Sequence, residues 1–277
     1  MCRLFGLTAG HATVRATAWL LDAPDSLELE SRRNVDGSGI GWFDAHGSPH
    51  VDKAPEPAYR DADFVRDAVE VEASTFVAHV RYATTGERSV ANTHPFVMGG
   101  FVMAHNGGFG DLPALEAELG DDMVGVKGDT DSERYAALVV REASRHGGDV
   151  AAGIASAAGW IAARLPVSSL NLVVAGPHDL WALRYPGTHA LHVLERPAGA
   201  PMSATSPSWR MSSDDVTAVD TVVVASERLD GEDGWRMLDV GELVHVSPDL
   251  VVSSSVVLPD PPAHLVPLSI VNPNDDS

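Results

Sequence analysis

The chain has 277 residues and a single cysteine, Cys2, directly behind the initiator Met. One cysteine can form neither an internal disulfide nor a multi-cysteine zinc site. With Met1 removed, Cys2 would carry a thiol and a free α-amine on one residue. An α-amine titrates at roughly 7.7–8.0, so near neutral pH part of the population accepts a proton. Such a residue can attack a carbonyl with its own amine as base, and no histidine is needed. The alternative is a small apolar side chain buried at the head of a strand.

Other segments carry residue types suited to the same chemistry. In His79-Val80-Arg81-Tyr82-Ala83-Thr84-Thr85-Gly86, an arginine ends an apolar run and a polar turn follows. Its planar fork can grip a carboxylate through two parallel bonds, or form an ordinary ion pair. His105-Asn106-Gly107-Gly108 closes another apolar run. An Asn amide beside a Gly N–H can stabilise an oxyanion, although Asn-Gly is also the strongest hairpin dipeptide. In Gly128-Asp129-Thr130-Asp131-Ser132-Glu133, Thr130 and Glu133 have capping-box spacing. A carboxylate there could also bind an ammonium. The pattern lacks the later Gly and Glu of a calcium loop. The segment 34–41 is not Gly-x-Gly-x-x-Gly and leads into a strand, which excludes dinucleotide binding and leaves a substrate loop or a plain turn. The twelve histidines form no metal-ligand spacing.

Apolar periodicity supplies the elements that would position these residues. Strands are expected at 3–9, at the end of 31–43, and at 75–82 and 100–105. Phe64, Val65, Ala68 and Val69 give 61–71 a helical face. A short helix is expected over 111–119, with Asp111 as N-cap and Pro113 in its first turn. Two longer helices follow, over 131–146 and 149–165. Strands are then expected at 169–175, 179–185, 188–194, 220–225, 242–247 and 250–257. Strands, a central helical pair and more strands predict an α+β protein with helices layered on antiparallel sheets. Residues 2–258 form the expected domain. The Pro- and Asp-rich segment 259–277 is expected to be a loosely held extension.

Composition narrows the function classes. Hydrophobic residues make up 44% and charged residues 21%, which is a globular balance. With 19 Lys and Arg against 39 Asp and Glu, the net charge is −20. Such a surface repels phosphate backbones and anionic lipid, so neither nucleic acid nor membrane is an expected partner. No signal-peptide pattern or spanning apolar run is visible, and a cytoplasmic location is expected.

Cys2, the run 79–86, the run Ala104-His105-Asn106-Gly107 and the run 128–133 occur in that order. Together they resemble the class II glutamine amidotransferases, of the N-terminal nucleophile hydrolase superfamily. The resemblance covers roughly residues 2–250. Ala225-Ser226-Glu227-Arg228-Leu229-Asp230, followed by Gly234-Trp235, is similar to the stand-alone branch that includes the γ-glutamyl amidohydrolase of ergothioneine biosynthesis. The resemblance implies a four-layer αββα sandwich. It implies Cys2 as nucleophile, Asn106 and Gly107 as oxyanion hole, Arg81 on the substrate α-carboxylate and Asp131 on its α-ammonium. Thr84 would help shape the pocket. The implied substrate is glutamine or a γ-glutamyl small molecule, and no metal or organic cofactor is needed. With little chain after residue 250, a synthase receiving ammonia would have to act in trans. Thr85 stands where synthase-linked relatives often have His, and Ser38 where the family's Gly-rich loop usually has Trp. Both departures bear on the group beyond the scissile amide.

Overall fold

A computed structural model describes residues 2–83, 86–200 and 218–267. The strands are β1 (Arg3–Thr8), β2 (Gly37–Phe43), β3 (Pro49–Ala54), β4 (Thr75–Arg81), β5 (Phe96–Met98), β6 (Phe101–Phe109) and β7 (Pro166–Ala175). They continue with β8 (Leu180–Leu183), β9 (His192–Arg196), β10 (Thr221–Ala225), β11 (Arg236–Met237), β12 (Glu242–Val246), β13 (Val252–Val256) and β14 (His264–Leu265). The α-helices are α1 (Leu27–Glu30), α2 (Ala62–Glu70), α3 (Leu112–Leu119), α4 (Asp131–Arg145) and α5 (Val150–Arg164).

The strands form two sheets, in the orders β11-β9-β10-β1-β4-β2-β3 and β13-β12-β8-β7-β6-β5. Neighbours along both paths are antiparallel; β14 lies off the second path and pairs parallel with β7. Three apolar clusters separate four layers. Trp19, Leu27, Phe64 and Trp235 cover the outer face of the first sheet. Val77, Val102, Val173, Val224 and Val244 fill the space between the sheets. Tyr135, Leu138, Ile154 and Ile161 of α4 and α5 pack on the outer face of the second. The fold is the expected α+β sandwich, with helices outside two facing sheets.

Alternation along each strand decides which residues reach the inter-sheet gap. In β4, Phe76, Ala78 and Val80 pack outward while Val77 packs inward. His79 and Arg81 therefore point inward. In β1, Leu4 is inward and Phe5 outward, so the parity carries Cys2 inward. In β6, Val102 and Ala104 are inward, which puts Asn106 on the same inner face. One register rule thus directs all three towards one space from both sheets.

The Gly-rich stretch is the middle of β2, paired with β3 on one side and β4 on the other. Neither a mobile loop nor a turn forms there. Gly37, Gly39 and Gly41 share its inner face. A Cβ on Gly41 would come 2.5 Å from Val102 Cγ1, and one on Gly39 would strike the His94 carbonyl. The glycines let the segment around His94 lie directly on the sheet.

Three further expectations changed on folding. Asn106-Gly107 is not a hairpin turn, because β6 runs on to Phe109. Asp111 occupies the N-cap position of α3 with φ 54°, but its side chain makes no cap bond. The start of the expected loose extension is held: Tyr185 Oη donates to the Asp260 carbonyl at 2.9 Å, and β14 joins β7. Residues 268–277 lie outside the described residues.

His79 and His94 are buried beside the inter-sheet gap with their ring centroids 4.2 Å apart, and His105 is buried on the outer face of β6, against α4. Burial, then the nearby Arg81, brings His79 down to about 3. Burial also lowers His94 and His105. Once unfolded, each would take up a proton near pH 6.5. Below that pH the unfolded chain binds more protons, so stability falls as pH falls. For His79 the loss between pH 6.5 and 5 is about 2 kcal/mol. Urea unfolding at both pH values should show the decline, and His94→Phe should flatten it. A pH-independent midpoint across this window would refute neutral burial of these rings.

Candidate active site

Cys2 lies one residue before β1, whose Arg3 pairs with Val80 of β4. Its Sγ accepts the Tyr82 N–H at 3.2 Å and faces the Tyr82 carbonyl at 3.3 Å as donor. The side chain is thus clipped to the backbone just past the end of β4. Burial pushes the thiol above its usual range. The Tyr82 backbone bond and the Arg81 guanidinium act to lower it, and Asp131 acts to raise it. Arg81 and Asp131 thus both act electrostatically on the Cys2 thiol, in opposite directions.

Arg81 is buried at the end of β4. Its guanidinium donates to the Glu87 carbonyl at 3.2 Å and the Gly86 carbonyl at 3.4 Å. The chain therefore curls back around its own arginine. Asp36, just before β2, braces the base of this curl. Its N–H donates to the Arg81 carbonyl at 3.0 Å, and its carboxylate accepts the Ala83 N–H at 2.9 Å. Asn92 ties the curl to the approach to α4, donating to the Glu87 carbonyl and accepting the Asp129 N–H, each at 3.0 Å.

Asp131 is the first residue of α4, whose N-cap is Thr130. The Thr130 hydroxyl accepts the Glu133 N–H at 3.4 Å. Glu133 does not complete the capping box; its carboxylate accepts the Gly128 N–H at 2.6 Å instead. Asp131 accepts N–H groups from Phe109 at 3.2 Å and from its own neighbour Ser132 at 2.9 Å. The Phe109 donor is free for this because β6 slips register between Gly108 and Phe109. The bulge lifts one amide out of the ladder and aims it at the carboxylate.

Asn106 is buried on β6, opposite Asn171 of β7. Its backbone carbonyl accepts the Ser169 hydroxyl at 3.0 Å. Next to it, Gly107 has φ 151°, and any Cβ there would run into the Ser169 carbonyl. Only glycine fits this position. A Cβ on Gly108 would meet the Asp131 carboxylate at 3.6 Å, which places the Asn106–Gly108 run beside Asp131. His105 supports the arrangement from the outer face: its Nε2 faces the Ser169 carbonyl at 3.1 Å and must carry the proton. Its Nδ1 then accepts the Ser132 hydroxyl at 2.9 Å.

Cys2, Arg81, Asp131 and the Asn106–Gly107 pair thus converge where the two sheets meet the start of α4. Thr84 and Met1 lie outside the described residues. Ser38, in the place of the family's Trp, is buried in β2 and donates to the Glu56 carbonyl at 2.8 Å. Sequence reading missed Asp36, Asn92 and the Phe109 amide. Asp36 and Asn92 lie in loops with no periodicity, and the amide acquires its role from a bulge. Among the described residues, no cluster of three or more His, Cys, Asp or Glu could hold a metal ion.

The family model for class II glutamine amidotransferases matches residues 1–259. The chain is 29% identical over 257 residues to a Mycobacterium tuberculosis protein named gamma-glutamyl-hercynylcysteine sulfoxide hydrolase, covering 89% of this chain and 93% of that protein. It is 33% identical over 150 residues to a glutamine–fructose-6-phosphate aminotransferase of Lactiplantibacillus plantarum, covering 53% of this chain but 23% of that enzyme. A solved class II glutamine aminotransferase domain protein from Silicibacter pomeroyi shares the fold, with a TM-score of 0.62 at 19% identity, over 93% of this chain and all of that one. With residues 1–259 matched by the family model, the chain belongs to the class II glutamine amidotransferases.

Proposed function

We propose that this protein hydrolyses the γ-glutamyl amide of a small metabolite through a thioester on Cys2. The observation that carries the reading is the convergence of Cys2, Arg81 and Asp131, with both charged groups acting on the one thiol. The carboxylate and ammonium of a glutamyl group require one cation and one anion near the nucleophile, and Arg81 and Asp131 supply them.

In this mechanism Met1 is removed and the Cys2 α-amine becomes the base. The buried thiol stands above its usual range, so it is mostly protonated at rest and needs that base. The amine takes the thiol proton as Sγ bonds to the γ-carbonyl carbon. The Asn106 amide and the Gly107 N–H stabilise the resulting oxyanion. The C–N bond then breaks, and the amine passes its proton to the leaving nitrogen. Water attacks the thioester, the thiol is restored, and glutamate leaves.

Coverage of almost the full length of a named γ-glutamyl hydrolase favours a stand-alone hydrolase. A second reading, in which the protein supplies ammonia to a separate synthase, draws on the partial match to an aminotransferase. A third is a silent binding protein on the same fold. Glutamate release from L-glutamine and from γ-glutamyl compounds, with and without cell extract, separates the three. The hydrolase reading expects release from γ-glutamyl compounds without extract.

Cys2→Ala should abolish glutamate release without unfolding the chain, and intact mass of the active enzyme should lack Met1. Full turnover in either the alanine variant or a Met1-retaining protein overturns the nucleophile assignment.

Arg81→Lys should raise KM strongly although charge is kept, because an ammonium cannot form the two parallel bonds of a guanidinium. Asp131→Asn should do the same at the ammonium end. Unchanged KM in both would dismiss the glutamyl pocket.

Asn106→Ala should lower kcat on the order of 100- to 1,000-fold with little change in KM, as expected for a donor used mainly in the transition state. Asn106→Gly should be equally impaired. An active glycine variant would reduce Asn106 to a backbone role.

A further inference from the structure

A cavity of about 400 Å³ opens between β3, β5, the segment at Val90 and the approach to α4. Cys2, Arg81, Asn106 and Asp131 are not among its lining residues. Lys53 and Lys127 are, and they are the only lysines in the chain. In a protein with net charge −20, two ammonium groups facing one cavity require an explanation.

Lys53 is held from below. Its Nζ donates to the Thr93 carbonyl at 2.6 Å and the Pro95 carbonyl at 3.1 Å, and lies 4.5 Å from the centroid of the Phe96 ring. An ammonium has three N–H donors, so one remains. Burial brings Lys53 down to about 8; Glu133 acts to raise it and Lys127 to lower it. The two lysines therefore repel across the cavity. Glu133 relieves this only in part, because its carboxylate also accepts the Gly128 N–H at 2.6 Å. Two cations and one anion leave a net charge of +1 on the cavity wall. Val51, Val90 and Phe96 make the rest of the lining largely apolar.

We propose that this cavity binds a small organic monocarboxylate, its carboxylate between Lys53 and Lys127 and its apolar body against Val51, Val90 and Phe96. One negative charge balances the wall, whereas a phosphate dianion would bring more charge and more acceptors than this lining can satisfy. The site is separate from the glutamyl chemistry proposed above and does not depend on it. The two adjoin, since the segment forming the cavity wall is continuous with the Gly86 and Glu87 carbonyls that hold Arg81.

The test is calorimetric titration of the full chain with benzoate and with isovalerate, in saturating L-glutamate so that any carboxylate site at Arg81 is filled. One-site binding in the millimolar range or tighter is expected for at least one of them. Lys127→Glu, an exposed position, should weaken it about tenfold or more, equivalent to about 1.4 kcal/mol. Benzyl alcohol should bind more weakly than benzoate by a similar factor. Lys53→Met should remove binding, with circular dichroism checking its fold. Cys2→Ala should bind as wild type, so failure of the nucleophile assignment leaves this result standing. Absence of binding by both carboxylates, equal affinity in folded Lys127→Glu, or displacement by glutamate would overturn the proposal.

Discussion

Two sheets packed face to face leave usable space only where side chains are withheld. Here the space exists because β2 presents Gly37, Gly39 and Gly41 on its inner face. That glycine stripe lets the segment around His94 lie on the sheet, and the same segment continues back to the curl around Arg81. If β2 carried ordinary side chains, the strap could not descend and Arg81 would lose the carbonyls that orient it. The position of the guanidinium therefore depends on atoms that are missing from a neighbouring strand.

The site is electrostatically divided. Arg81 draws the Cys2 thiol towards ionisation, while burial and Asp131 oppose it. The net balance holds the thiol above its usual range, and a protonated thiol is a poorer target for oxidation or alkylation than a thiolate. Asp131 is held in turn by backbone amides, one of them released by the bulge in β6. Carboxylate and guanidinium are each fixed by main-chain groups, and backbone contacts of this kind reorganise little when a substrate arrives.

The acidic surface and the few enclosed cations belong to one pattern. With 39 acidic residues, a cation left facing a cavity creates a local exception in a repulsive field. The Lys53–Lys127 pair is such an exception.

Much of the architecture was legible in the residues themselves. The strands β1, β4 and β6 follow from their apolar runs, and the helical faces of α4 and α5 from their apolar spacing. Cys2, Arg81, Asn106 and Asp131 could be picked out because their residue types occur in recognisable runs. Other features were decided only by tertiary structure. Gly37–Gly41 reads locally as a loop or turn because glycine has low strand propensity, yet pairing on both sides makes it part of β2. Asn106-Gly107 reads as a turn, yet β7 pairing extends β6 through it. Asp36 and Asn92 could not be found by periodicity, since each acts by joining loops distant in sequence. The Phe109 amide is common to every residue and gains its role from a register slip. Local sequence set the direction in which each side chain points. Long-range pairing decided which of those directions meet, because contacts between strands far apart in the chain have no local signature.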